Sequence, residues 1–264
     1  MLPKLILIRG AGDLASGVAH RLNNSGFQVI MLELPEPLVV RTTVSYASAV
    51  YEGKIEVEDV EAVLCRDNAE VDSVLANAKV AILIDPGGMA IRKYEPQVII
   101  DATMIKHNRL SMLNDAELVI GLGPGFAAGV DVKAVIETKR GHELGRVIYS
   151  GSAIADTGEP GKIEGFGRER LLRAPIKGIF KPDKKIGDLV EKGDNVASVG
   201  DCEVLAEIDG MVRGMLYAGL MVEKGTKIGD IDPRGDSVDY KTISDKARAI
   251  GGGVLEAILH HFNR

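Results

Sequence analysis

Tryptophan is absent from the chain, so intrinsic emission offers no useful report on ligand binding. Cysteine is scarce: Cys65 and Cys202 are far apart and belong to no C-x-x-C pair, which excludes a disulfide scaffold and predicts two reduced thiols. Basic side chains are outnumbered, 32 Lys and Arg against 38 Asp and Glu, and the resulting net charge of −6 argues against a nucleic-acid partner. No apolar run reaches membrane-spanning length, and Met1 to Ile8 lacks the shape of a signal peptide, so a cytoplasmic protein without a membrane partner is expected. No Lys and Ser or Thr follow the glycines of 121–129 in P-loop order, which excludes that NTPase reading. His260 and His261 are neighbours and hence project from different faces of a helix, so no metal-binding set is expected.

What the chain does contain is glycine, 31 residues of it, and 45% apolar residues, ample for a core. At 264 residues, one large and one small domain are expected. The richest stretch runs from Lys4 to Gly17, K-L-I-L-I-R-G-A-G-D-L-A-S-G. Leu5 to Ile8 read as a buried parallel strand, Gly10 and Gly12 permit a tight turn, and Leu14, Ala15, Val18, Ala19 and Leu22 follow at helical spacing. The turn is therefore a candidate anion site, with Gly10, Ala11, Gly12, Asp13 and Ser16 as its wall. The pattern is G-x-G-x-x-A, and the next apolar run, Phe27 to Leu32, ends at Glu33, where an acid meets ribose hydroxyls in a dinucleotide fold. The alternatives are a plain βα connection and a solvated Glu33; Asp13 in particular would repel a diphosphate.

Val39 to Tyr51 reads as a helix whose Arg41 is a candidate anion ligand, or else a surface ion-pair partner. Val80 to Ile84 and Val98 to Ile100 read as strands ending at Asp85 and Asp101, where each carboxylate either meets a ligand or caps a turn. Lys106, in the cluster K-H-N-R, is a candidate to offset ligand charge. Leu118 to Ile120 leads into G-L-G-P-G-F-A-A-G, whose Gly121, Gly123 and Gly125 offer a second wall of amides or merely permit turning. In the tail Ser244 is placed to cap a helix that Gly251 to Gly253 break or bend.

Residues 174–200 recur at 206–232, an offset of 206 − 174 = 32: Ala174 matches Ala206, Gly178 matches Gly210, and V-E-K-G at 190–193 returns at 222–225. This half-and-half pattern resembles the barrel-sandwich fold of biotinyl and lipoyl domains over about sixty residues. The hairpin between the halves is G-D-C-E-V with no modifiable lysine, so no biotin or lipoyl attachment is expected, and Cys202 reads as an inert hairpin cysteine. The expected architecture is α/β: a Rossmann-like, mostly parallel sheet with helices on both faces over 1–145, a connection over 146–173, a barrel-sandwich hybrid over 174–232, and a helical tail over 233–264 that packs back.

Taken together, R-G-A-G-D-L-A-S-G, L-E-L-P-x-P, D-A-T-M-I-K, G-L-G-P-G-F-A-A-G-V-D-V, R-G-H-E-L-G-R and K-I-G-D-I-D-P-R-G resemble the YqeB-type accessory family, whose members accompany the selenium-dependent molybdenum hydroxylase system. The N-terminal half is also similar in style to XdhC-type chaperones of the molybdenum cofactor. The resemblance implies a maturation factor, more a cofactor-handling protein than a turnover enzyme. It would bind molybdopterin, the molybdenum cofactor or a nucleotide between the Gly10 turn and the Gly121 loop, and its partner would be a molybdenum hydroxylase or other cofactor-maturation proteins. An anionic small molecule is the expected ligand. An NAD(P)-dependent oxidoreductase using the same turn and a non-catalytic interaction module are the alternatives.

Overall fold

In the computed structural model, which describes residues 2–104, 111–156 and 158–263, β1 (Leu5–Arg9) lies at the centre of a nine-stranded sheet. Ile6, Leu7 and Ile8 are fully buried, as expected of an apolar run covered on both faces. The chain divides into two units, each described separately: a first unit of Met1–Pro37, Ser45–Thr157 and Ile243–Arg264, and a second of Leu38–Val44 and Gly158–Thr242.

In the first unit β1 leads through α1 (Asp13–Asn24) to β2 (Gln28–Glu33), α2 (Ala49–Glu52), the hairpin β3 (Lys54–Val57) and β4 (Val60–Leu64), then α3 (Asn68–Ala76), β5 (Val80–Ile84), α4 (Met89–Tyr94) and β6 (Val98–Asp101). β7 (Leu118–Leu122), β8 (Ala127–Ala128), β9 (Ala134–Ile136), β10 (Val147–Ile148), β11 (Gly151–Ser152) and α5 (Asp245–Phe262) complete it. The sheet order is β10-β9-β7-β6-β1-β2-β5-β4-β3, with β8 and β11 forming a separate small ladder. The inner strands are parallel, and strand order reverses between β1 and β6, so the carboxyl edge presents Arg9, Glu33, Asp85, Asp101 and Glu137.

This sheet corrects the expected Rossmann-like domain. It is mixed: β3 and β10 run antiparallel to their neighbours at the two edges. Helices are sparse, and no helix links β6 to β7 or β7 to β9 among the described residues. The helix expected over 39–51 is instead two 3-10 turns, Thr42–Val44 and Tyr46–Ser48, followed by the single turn of α2, because its β-branched residues disfavour a continuous α-helix. The glycines of the tail do not break α5, which runs uninterrupted from Asp245 to Phe262 and is capped by the Ser244 hydroxyl accepting from the Ala247 N–H at 3.2 Å. They let it approach its neighbours: a Cβ at Gly251 would lie 3.0 Å from the Gly17 carbonyl of α1, and one at Gly17 would lie 2.6 Å from Ala247 Cβ.

The second unit holds two four-stranded sheets. β12 (Leu171–Arg173), β19 (Lys227–Asp232), β17 (Gly210–Met215) and β14 (Leu189–Val190) form one; β16 (Cys202–Leu205), β15 (Asn195–Val199), β13 (Gly178–Pro182) and β18 (Met221–Val222) form the other. The 32-residue repeat is visible here, β13, β14 and β15 in the first copy recurring as β17, β18 and β19 in the second. The outer two strands of each copy pair with each other, β13 with β15 and β17 with β19, while each copy lends its middle strand to the sheet of the other, so neither middle strand is paired within its own copy. No helix among the described residues is long and apolar enough to cross a membrane.

Candidate functional site

The opening glycine turn is closed by the protein itself. Gly10 has φ +88°, and a Cβ there would meet the Ala102 carbonyl oxygen at 3.2 Å, so the turn after β1 rests against the segment after β6. The Ala11 N–H, the amide expected to face a ligand, donates to Glu33 Oε2 at 2.7 Å, while Glu33 Oε1 accepts from Leu34 N–H at 2.8 Å. The Ala11 carbonyl accepts from Ala47 N–H at 2.8 Å. Ser16 is fully buried, its hydroxyl accepting from Tyr46 N–H at 2.8 Å and lying 2.9 Å from the Gly12 carbonyl. Gly12 is the extended residue that precedes α1. Asp13, in the first turn of α1, faces the half-buried Lys246 of α5, whose ammonium burial pushes below the ordinary lysine range while Asp13 pulls it back up.

Burial raises the Glu33 carboxyl above its ordinary value, against the lowering effect of its two amide donors. The folded state therefore holds this proton more tightly than the unfolded chain does, and the stability it contributes is lost as pH rises from the unfolded value through the raised folded one. Glu33→Gln is expected to abolish that slope. Urea denaturation of the wild type and the variant between about pH 4 and 7 checks it, and parallel profiles would refute it.

The remaining sequence candidates are dispersed among structural duties. Asp85 accepts from Ala90 N–H at 2.7 Å and so fastens α4. Asp101 is fully buried and accepts from Thr103 N–H at 3.1 Å, Thr103 Oγ1 at 2.6 Å and Ser111 Oγ at 2.5 Å. Gly121 makes room for Phe126, whose ring carbon would stand 2.4 Å from a Cβ there, and Gly123 N–H donates to the Ile136 carbonyl at 2.9 Å. Gly125 is half-buried in the same loop. Gly121 and Gly123 thus serve close packing rather than an open amide wall. Arg41 belongs to the second unit, where it bridges to Met215. Lys106 lies outside the described residues. Grooves of about 620 Å³ beside Arg66 and Ser73 in the first unit and about 610 Å³ beside Arg168 and Leu205 in the second include none of these candidates.

The residue missed by sequence reasoning is Arg9. It ends the central strand, in register with Leu32 and Asp101, and points to the face that carries Leu7, Leu32 and Ala90. A Cβ at Gly88, itself left-handed at φ +69°, would lie 3.1 Å from the Arg9 guanidinium. Arg9 Nε is buried with no hydrogen-bond partner, and no carboxylate pairs with the guanidinium among the described residues. Asp101, its neighbour in register, has its oxygens occupied by Thr103 and Ser111. The signal was present, since Arg9 directly precedes Gly10, but the glycines drew the reading to the other face of the strand. Three arginines of the second unit differ in having a carboxylate nearby, Arg234 at 2.8 Å and Arg213 at 3.6 Å from buried Asp232 and Arg170 at 3.7 Å from Asp230, although the Nε atoms of Arg213 and Arg170 are likewise buried without a hydrogen-bond partner.

No family profile matches the chain. Over 256 residues it is 50% identical to the uncharacterized protein YqeB of Escherichia coli (strain K12), an alignment covering 97% of this chain and 47% of that protein. The chain therefore spans about half the length of the curated relative it matches. Among solved structures it is similar to an aspartoacylase family protein from Mesorhizobium loti, at 11% identity and a TM-score of 0.28, covering 88% of this chain and 85% of that one. It is also similar to the ectoine utilization protein EutE (DoeB) from Ruegeria pomeroyi, at 10% identity and a TM-score of 0.26, covering 87% and 85%. A succinylglutamate desuccinylase/aspartoacylase from Rhodobacter sphaeroides aligns at 13% identity and a TM-score of 0.27, covering 87% and 86%. None of these neighbours is named as a Rossmann-plus-barrel-sandwich protein, a molybdenum hydroxylase maturation factor or a nicotinamide-dependent oxidoreductase, so the expectations of that fold, of that accessory role and of the oxidoreductase alternative gain no support from them and are not carried further. Likeness this distant transfers no activity to the chain. What this chain is similar to is thus a longer protein of uncharacterized function and, far more remotely, a group of aspartoacylase-type folds.

Proposed function

We propose that the chain binds a small anionic molecule, bearing a carboxylate or phosphate, at the carboxyl edge of its parallel sheet, with Arg9 as the group that grips the anion. The single observation that carries this reading is the orphaned, buried Arg9 Nε at the end of the central strand. Arg9 is half-buried, and a donor such as its Nε, taken out of water with no acceptor, is costly unless something completes it. Its planar donor fork matches two oxygens of a carboxylate or phosphate. The edge on which it stands, beside the reversal of strand order, is where open parallel sheets place ligands. A cytoplasmic metabolite is the natural candidate for a chain whose two cysteines are free.

Calorimetry and thermal shift with small dicarboxylates, phosphate esters and neutral amide controls would test it. An anion should raise the melting temperature of the wild type, and Arg9→Gln should weaken that binding by about 10- to 150-fold, the equivalent of a lost charge-assisted hydrogen bond of about 1.5–3 kcal/mol. Arg9→Lys should recover only part, because a point charge cannot bind two oxygens side by side. Equal binding by Arg9→Gln would remove Arg9 from the site.

A further inference from the structure

A second constellation of the first unit stands apart from Arg9. His20 projects from α1 and is 8% exposed. Its Nε2 faces the two-residue turn of the β3–β4 hairpin, Glu58 and Asp59, at 2.7 Å from Asp59 Oδ1 and 3.6 Å from Glu58 Oε2. Glu58 holds φ +56°, a backbone region that L residues other than Asn and Asp seldom enter, and glycine would be the ordinary choice at such a turn. That backbone aims both carboxylates at one imidazole nitrogen.

We propose that His20, Glu58 and Asp59 form a binding site for a late first-row divalent cation, of which Zn²⁺ is the type case. The donor atoms all lie within 4.8 Å of one another, one imidazole nitrogen and two carboxylate oxygens. Bonds of about 2.0–2.1 Å in tetrahedral array set ligand atoms roughly 3.3 Å apart, so the 3.6 Å pair already fits and the 2.7 Å pair opens by tenths of an ångström as the metal replaces the proton shared between His20 and Asp59. The supporting contacts of Glu58 suit the task. Its Oε1 accepts from Ile243 N–H at 2.8 Å and from the Arg248 guanidinium at 2.5 Å, which fixes the carboxylate and leaves Oε2 toward Nε2. Asn24, one helical turn beyond His20, puts its amide 3.4 Å from Asp59 Oδ1, and rotated by half a turn it offers an oxygen as a further ligand. The Asp59 side chain is 71% exposed, so the site opens to solvent and keeps a position for water or an added ligand.

The test uses the full chain, stripped with EDTA and titrated with Zn²⁺ and Co²⁺, with Mg²⁺ as the hard-cation control. Zn²⁺ should raise the melting temperature. Co²⁺ should give a visible absorption band stronger than that of the aquo ion, and Zn²⁺ should displace it. Asp59→Asn, at an exposed turn position that Asn tolerates, and His20→Gln should each weaken Zn²⁺ binding at least about tenfold. The melting temperature of Asp59→Asn in EDTA keeps loss of the site separate from loss of the fold. A cobalt spectrum unchanged from the aquo ion, a preference for Mg²⁺, or a Zn²⁺ shift retained in both variants would overturn the proposal, leaving His20 as the partner of two carboxylates and no more. Arg9→Gln should bind Zn²⁺ as the wild type does, so failure here and failure of the anion site are distinguishable.

Discussion

Replacing Gly253 with alanine is expected to destabilise the first unit by about 2–3 kcal/mol, whereas the same change one residue earlier, at Gly252, should stabilise it by about 0.5–1 kcal/mol. A Cβ at Gly253 would stand 2.0 Å from the carbonyl oxygen of Gly145 and 3.2 Å from Ile136 Cγ2. The obstacle is backbone leading into β10, so relief requires moving α5 or the strand. Gly145 cannot readily yield, since its own φ is +82° and its Cβ position is 2.5 Å from the Ala249 carbonyl. At Gly252 nothing lies within 4 Å, and alanine there only reduces the freedom of the unfolded chain. Denaturant midpoints of the two single variants decide the matter: equal stability would show that α5 is not seated against the segment before β10.

The second large effect is expected at Glu137, just beyond β9. Only 2% of it is exposed, and its carboxylate accepts from three backbone amides: Thr138 and Lys139 on Oε1 and Ile154 on Oε2, each at 2.8 Å. Glu137→Ala would leave these donors without a partner at about 1 kcal/mol or more each, a loss of about 3 kcal/mol or greater. Glu137→Gln should fall between, because its amide oxygen can serve Thr138 and Lys139 while its NH₂ group faces the Ile154 donor. Unfolding free energies in the order wild type, Gln, Ala are the expected result. An Ala variant as stable as the Gln variant would mean that water satisfies these amides. A carboxylate ending a strand at the edge of an open sheet has the appearance of a binding group, and here it ties a loop.

That distinction marks how far the residues could be read in order. The apolar run of β1, the glycine turn, the helical spacing of α1, the cap at Ser244 and the 32-residue repeat are local patterns, and local patterns constrain local backbone. The site was less legible. Ala11 and Glu33 are 22 residues apart, and only the register of β1 beside β2 shows that the carboxylate meets the protein's own amide. His20 and Asp59 are 39 apart and adjoin only because α1 packs beneath the tip of a hairpin.

By itself, then, the amino-acid order determined where most strands and glycine turns fall, and that two similar segments follow one another. Tertiary structure alone decided which polar groups are consumed and which are left over. A side chain's availability depends on every partner that folding brings within about 3 Å of it, and those partners come from remote positions in the chain. Glu33, Asp101 and Glu137 found such partners and became structural, while Arg9, one residue before the turn, did not.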